Sequence, residues 1–236
     1  MLANSNLVAI TVTGAADDCA IDDLIRLGRR YPLIEVAVLY SPGRSGAGRY
    51  PSRHWLEAFA FESERAGIAR AIHLCGDSVA DFVLDPQSYS ARLVSKFSRV
   101  QLNFNASRIG LSPRQFSDAI ERSAVPVITQ VNEQNSGISS AIGARRHHIL
   151  FDRSGGIGRL PESWPDRWPD KAVNGWAGGL SPENIEHHIG IIARHADECA
   201  FTVDAETALR TAGDKFDMSK AEDFVQAALR GVSVPA

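Results

Sequence analysis

Short apolar, β-branched runs recur along the chain at nearly even intervals. They lie at 7–13 (LVAITVT), 34–40 (IEVAVLY), 69–74 (ARAIHL), 99–104 (RVQLNF), 125–130 (VPVITQ), 147–152 (HHILFD), 173–178 (VNGWAG) and 198–204 (ECAFTVD). Each predicts a strand. Successive starts are about 22 to 35 residues apart, too far for hairpins and enough for a strand–helix–strand crossover. Most of the gaps carry helical periodicity. In 17–30, Ile21, Leu24, Ile25 and Leu27 share one face, and Asp17, Asp18, Asp22 and Asp23 fall in the first turns, where the helix dipole favours acids. Helices are also predicted over 54–66, 76–95, 112–122, 133–145, 181–195 and 219–230. Ser181-Pro182 reads as an N-cap followed by a first-turn proline, and Ser219 as the cap of the last helix. The gap at 158–171 (GRLPESWPDRWPDK) holds three prolines and predicts a loop.

Eight strands separated by crossovers predict an α/β fold, a closed (β/α)8 TIM barrel formed by one domain over 1–236. A doubly wound open sheet is the second reading, because the same alternation generates both. The first strand–helix junction, TVTGAADD, lacks the glycine fingerprint of a dinucleotide site. SGGIGR at 154–159 follows a strand but precedes no helix, so it is a weak nucleotide signal.

In a closed barrel, successive side chains alternate between the lumen and the helix layer. The apolar sets Val8, Ile10, Val12 and Val100, Leu102, Phe104 should face the helices. That turns Thr11, Thr13, His73, Cys75, Gln101, Asn103, Asn105, Leu150, Asp152, Thr202 and Asp204 inward. The polar members gather at the C-terminal strand ends, where barrel enzymes build their active sites.

Composition narrows the choice of partner. Of 236 residues, 44% are hydrophobic and 22% charged, ordinary globular usage. With 25 basic against 28 acidic residues the net charge is −3, which argues against a general nucleic-acid binder. No apolar run approaches the roughly 20 residues that span a bilayer. The start, MLANSNLVAI, has neither a basic n-region nor a long apolar h-region, so no secretory signal is expected. Cys19, Cys75 and Cys199 are odd in number and far apart, which suits the cytoplasm. No C-x-x-C or H-x-x-x-H pair occurs, and adjacent residues such as His147-His148 and His187-His188 point apart, so neither metal nor cofactor is expected. There is no G-x-S-x-G elbow either.

Several segments can carry chemistry. Asp152 ends a strand and precedes Arg153-Ser154-Gly155-Gly156. It can act as general acid or base beside a loop whose glycines let backbone approach a ligand, or merely cap that loop. Gly178-Gly179-Leu180-Ser181-Pro182 can offer free N–H groups to a phosphate, or form a tight turn and cap. The loop 41–53 brings Arg44, Arg49 and Arg53 with no acid, as a lid meeting an anion or as a solvated basic loop. His73 is an acid/base candidate or an interior histidine. Trp164 and Trp168 can close over a ligand or pack their loop onto the rim.

The segments ILFDRSGGIG (149–158), NGWAGGLSPENI (174–185), FTVDAET (201–207) and KFDMSKAEDFVQAAL (215–229), in this order and spacing, resemble phosphoribosylanthranilate isomerase. RYPS at 49–52 is similar to the family's loop arginine after strand two, and HLCGD at 73–77 and VQLNF at 100–104 are looser matches. The resemblance implies a ribulose-phosphate-binding type of TIM barrel and a cofactor-free isomerase of tryptophan biosynthesis. It implies an Amadori rearrangement of a small, anionic sugar–amine. Asp152 would protonate the ribose ring oxygen and Arg49 would contact the aromatic carboxylate. Asn103, Gly155, Gly156, Gly178, Gly179 and Ser181 would bind substrate.

Two positions depart from the family. Thr13 stands where the cysteine base should be, and a threonine hydroxyl ionises far too weakly to replace it unaided. Asp204-Ala205-Glu206-Thr207 replaces the glycine-bearing phosphate loop and brings acids to an anion site. The base then falls to His73, Cys75 or Asp204, and phosphate should bind poorly unless Asp204 turns away or Arg210 neutralises it. A lyase or aldolase step, or a non-catalytic ligand-binding barrel, is the alternative. Oligomeric state is not readable.

Overall fold

Every predicted apolar run becomes a strand in the computed structural model, which describes residues 6–153 and 158–233. In order they are β1 (Leu7–Thr13), β2 (Ile34–Tyr40), β3 (Ala69–Cys75), β4 (Arg99–Asn103), β5 (Val127–Val131), β6 (His147–Phe151), β7 (Asn174–Trp176) and β8 (Phe201–Ala205). Each pairs in parallel with its sequence neighbour, and β1 meets β8 through Ile10–Val203 and Thr11–Asp204. The sheet is a closed barrel in sequence order, a (β/α)8 TIM barrel rather than an open doubly wound sheet.

The helices are α1 (Ile21–Arg30), α2 (Arg53–Ala66), α3 (Asp77–Leu84), α4 (Tyr89–Val94), α5 (Ala106–Ile109), α6 (Pro113–Arg122), α7 (Ser136–Ala141), α8 (Ile185–His195) and α9 (Met218–Ser233). Between β6 and β7 the described residues 158–173 contain no helix, as the prolines require. No helix among the described residues is long and apolar enough to cross a membrane.

Several boundaries differ from expectation for local reasons. The first helix starts at Ile21, because Asp17 is used instead to accept hydrogen bonds from Ser52 N and Oγ. The segment 76–95 is two helices, broken at Asp85-Pro86, where proline disfavours helical backbone in the residue before it. The helix expected over 133–145 shrinks to Ser136–Ala141, since Asn132 Oδ1 takes the Gln134 and Asn135 N–H groups in a turn. Ser181 is not a helix cap: α8 starts at Ile185 with Asn184 as N-cap. Ser219 lies inside α9, and Asp217 Oδ1 instead accepts from the Ser219 and Lys220 N–H groups.

The alternation sorts side chains as expected with one exception. Ile10, Val12, Val100, Leu102, Phe104, Ile149, Phe151 and Val203 join the core between strands and helices. Val8 does not, because pairing slips between Leu7 and Ala9 and leaves it exposed. Leu150, Ile128 and Ala177 form a separate apolar cluster.

The lower lumen is polar and tightly bonded. Arg99, the first residue of β4, donates from Nε to both carboxylate oxygens of Glu35 at 2.9 and 2.7 Å. Its Nη2 reaches Glu35 Oε1 at 2.7 Å and Thr11 Oγ1 at 3.0 Å. Thr11 Oγ1 donates to Glu35 Oε1 at 3.1 Å, so this nearly dry pair is saturated. The plug closes the barrel from below and sets the depth of whatever binds above.

Candidate functional site

The C-terminal strand ends surround a cleft of about 1390 Å³. Leu39, Cys75, Gln101, Asn103, Gln130, Leu150, Asp152 and Asp204 line it from the strands, and Arg44, Arg49, Tyr50, Gly178, Gly179 and Glu206 from the loops. Asp152 follows β6 directly and is nearly buried. Its carboxylate accepts from Gln130 Nε2 at 2.6 Å, and its N–H donates to Val131 O at 3.1 Å. Both bonds aim the side chain into the mouth from a rigid strand end.

Asp204 points inward from β8, 8% exposed. Its Oδ1 accepts from the Thr13 hydroxyl at 2.6 Å. Burial pushes its pKa up to about 8; the Thr13 bond pulls the other way, and the Glu206 and Glu35 charges push it further up. Thr13 is fully buried behind Asp204 and does not line the cleft. Asn103 Oδ1 accepts from Gln101 Nε2 at 2.9 Å, and its amide donates to Cys75 Sγ at 3.7 Å. Burial raises the Cys75 thiol to about 11 and the Tyr50 phenol to about 12, so both are protonated at neutral pH.

The remaining candidates divide between the cleft and its surroundings. His73 is buried beside the plug and is not in the cleft lining; burial, then the Arg99 charge, lowers it to about 3. Gly155 and Gly156 lie outside the described residues. Gly178 and Gly179 line the cleft with φ of +94° and +74°. A Cβ on Gly179 would lie 2.3 Å from Leu160 N and 2.6 Å from Arg159 C, so glycine there admits the crossing 159–160 backbone. Ser181 N–H donates to Asn184 Oδ1 at 2.8 Å. Trp164 is buried on the rim, where its Nε1 donates to His188 Nδ1 at 3.2 Å.

The loop arginine finds acids from far along the chain. Arg49 reaches Glu206 at 2.6 Å and Asp214 at 2.8 Å. Arg210 does not neutralise Asp204: its Nε bonds Asp214 at 2.6 Å and its Nη1 bonds Gly14 O at 2.8 Å. Sequence reasoning missed Gln130, which alternates inward with Ile128 on β5 and was legible by that alternation. It also missed Tyr50, inside the RYPS segment. Asp214 gave no signal, since it sits in an irregular turn nine residues beyond β8.

The fold and cleft define a (β/α)8 barrel with two carboxylates at strand ends, at the mouth of a closed lumen. Among the described residues no group of three His, Cys, Asp or Glu is placed to hold a metal. No family model matches the chain, and no curated protein matches its sequence. Solved structures do match. TrpF from Jonesia denitrificans aligns with a TM-score of 0.64 at 20% identity, covering 97% of this chain and 100% of that one. Phosphoribosyl anthranilate isomerase from Thermotoga maritima aligns at 0.61 and 19%, covering 94% and 98%. A phosphoribosyl anthranilate isomerase in complex with reduced 1-(o-carboxyphenylamino)-1-deoxyribulose 5-phosphate aligns at 0.59 and 18%, covering 94% and 98%. At these identities the likeness establishes the fold.

Proposed function

We propose that the protein is a phosphoribosylanthranilate isomerase-like enzyme that converts an aldose–amine conjugate to a 1-amino-1-deoxyketose. The observation that carries this reading is the 2.6 Å bond between Thr13 and Asp204. The two departures from the family pattern, at the ends of strands one and eight, meet in that bond. Asp204 thereby stands beside the position of the missing base.

Asp152 gives its proton to the sugar ring oxygen, and the ring opens to an iminium. The Asp204 carboxylate takes the proton from C2, leaving an enol-amine. Asp204 then gives its proton to C1 while the 2-hydroxyl becomes a ketone and its proton returns to Asp152, so both carboxyl groups are restored and the reaction is an isomerisation with no net gain or loss. A carboxylate with a pKa of about 8 is a far stronger base than an ordinary aspartate and is still partly ionised at neutral pH. Among the described residues lining the cleft there is no lysine, so a Schiff-base aldolase has no nucleophile among them. The three cysteines are free, which supports a cytoplasmic setting.

The test is fluorescence loss of an N-ribosyl-2-aminobenzoate, offered with and without its 5-phosphate. Asp204→Asn and Asp152→Asn should each lower turnover by about 10²–10⁴ while the fold persists. The wild-type rate should rise as pH passes through about 8, where Asp204 ionises. Full activity in either variant, or a rate that falls through that pH, refutes the assignment.

A further inference from the structure

We infer that Gln130 is a positioning residue for the isomerisation: its amide keeps the Asp152 carboxyl aimed at the substrate in both protonation states that one turnover passes through. This deepens the isomerase reading and rests on it. Asp152 gives a proton to the ring oxygen and later takes one from the 2-hydroxyl, so it is an acid at one moment and a carboxylate at the next. A partner that can only donate favours the carboxylate and holds the proton off, and one that can only accept repels the carboxylate. A primary amide carries a donor and an acceptor on one rotatable group.

The barrel brings that amide within reach. Gln130 stands in register with Leu150 of β6, two residues before Asp152. The Asp152 N–H on Val131 O fixes the strand end, and Ser139 Oγ donates to Gln130 O at 3.4 Å. Gln130 Nε2 then meets Asp152 Oδ2 at 2.6 Å. Gln130 lines the cleft yet is nearly buried, so bulk water competes little for this bond. Its Oε1 has no hydrogen-bond partner among the described residues. The amide is therefore free to turn over about its last torsion, a broad and two-fold one, and to offer Oε1 to the protonated acid.

The other two inward carboxyl groups fit the same rule. Asp204 is held by the Thr13 hydroxyl, which can also donate or accept. Glu35, in the plug, is held chiefly by the Arg99 guanidinium, which can only donate. The two carboxyl groups assigned to proton transfer have two-way partners, and the structural one has a one-way partner.

Steady-state turnover of the N-ribosyl-2-aminobenzoate by the whole protein decides. Gln130→Met keeps the side-chain length without a hydrogen bond, next to the apolar Ile128, Leu150 and Ala177 cluster. It should lower kcat about 10- to 100-fold and leave KM within about twofold. Gln130→Lys keeps a donor and loses the acceptor, and should be no faster than Gln130→Met. Added to Asp152→Asn, Gln130→Met should cost less than about twofold more, because it acts through Asp152. Should Gln130→Met unfold by circular dichroism, Gln130→Lys, alone and with Asp152→Asn, carries the same test. Wild-type kcat in either single variant, a raised KM at unchanged kcat, or a full further loss on top of Asp152→Asn overturns this inference and leaves the isomerase reading standing. Full activity in Asp152→Asn, or no turnover by the wild-type protein, overturns both.

Discussion

Two sets of buried polar residues share the lumen, one at the bottom of the barrel and one at its mouth, and they differ in how completely they are paired. At the bottom, Glu35 receives three hydrogen bonds from Arg99 and one from Thr11. At the mouth, Asp204 accepts one bond from a neutral hydroxyl and forms no ion pair among the described residues. The lower carboxylate is bonded through both of its oxygens to a cation. The upper one is held loosely enough that burial governs its proton. Buried charge alone therefore does not mark a site; the character of its partners does.

The largest test of that contrast is to unpair the plug. Glu35→Ala strands the Arg99 guanidinium and should cost about 3–5 kcal/mol by denaturant unfolding. Glu35→Met combined with Arg99→Leu, which removes both charges, should be close to neutral. If the single variant were as stable as wild type, the plug would not be the saturated unit described.

Acid should separate the two sets next. Burial lowers His73 and His147 to about 3 and His148 to about 4, so all three stay neutral in the fold. The unfolded imidazoles charge below about pH 6.5, so the stability present above that pH is lost as pH falls. Asp204 has the opposite sign. Raised to about 8, it contributes stability that is full below the unfolded carboxylate range near 4 and lost as pH rises through 8. Between pH 7 and 5.5 the imidazoles should cost about 4 kcal/mol and Asp204 return about 2 kcal/mol. Thermal unfolding should show that net loss, and Asp204→Asn should steepen it. Equal pH dependence in both proteins would show that Asp204 is not a buried acid in the fold.

The smallest effect belongs to Thr13→Val. It removes one buried donor, worth about 1 kcal/mol, and leaves the plug untouched. Because the Thr13 bond, with the Arg99 charge, opposes the rise of the Asp204 pKa, the alkaline rise in rate should move to higher pH. A pH–rate profile that does not move would break the link between the two residues.

Much of this was legible in the chain. The even spacing of VAITV, EVAVL, VQLN and their successors can satisfy parallel pairing only through crossovers, and strict alternation turned Asp152, Asp204, Gln101 and Asn103 inward. The extra residue pairing that exposes Val8 was not legible, because a bulge depends on the partner strand. Nor was the service that Asn132 and Asp17 render to nearby N–H groups, which removed turns from two helices.

The sequence by itself determined the eight strands, their alternation with crossovers and the inward turn of Asp152 and Asp204, because side-chain period and crossover length are local properties. Tertiary structure alone decided the partners. Thr13 and Asp204 lie 191 residues apart and meet only when β1 closes on β8. Arg49 meets Glu206 and Asp214 across a similar distance, and the 159–160 backbone crosses at Gly179. A buried carboxylate's proton depends on which groups surround it in space, and that information exists only once the barrel has closed.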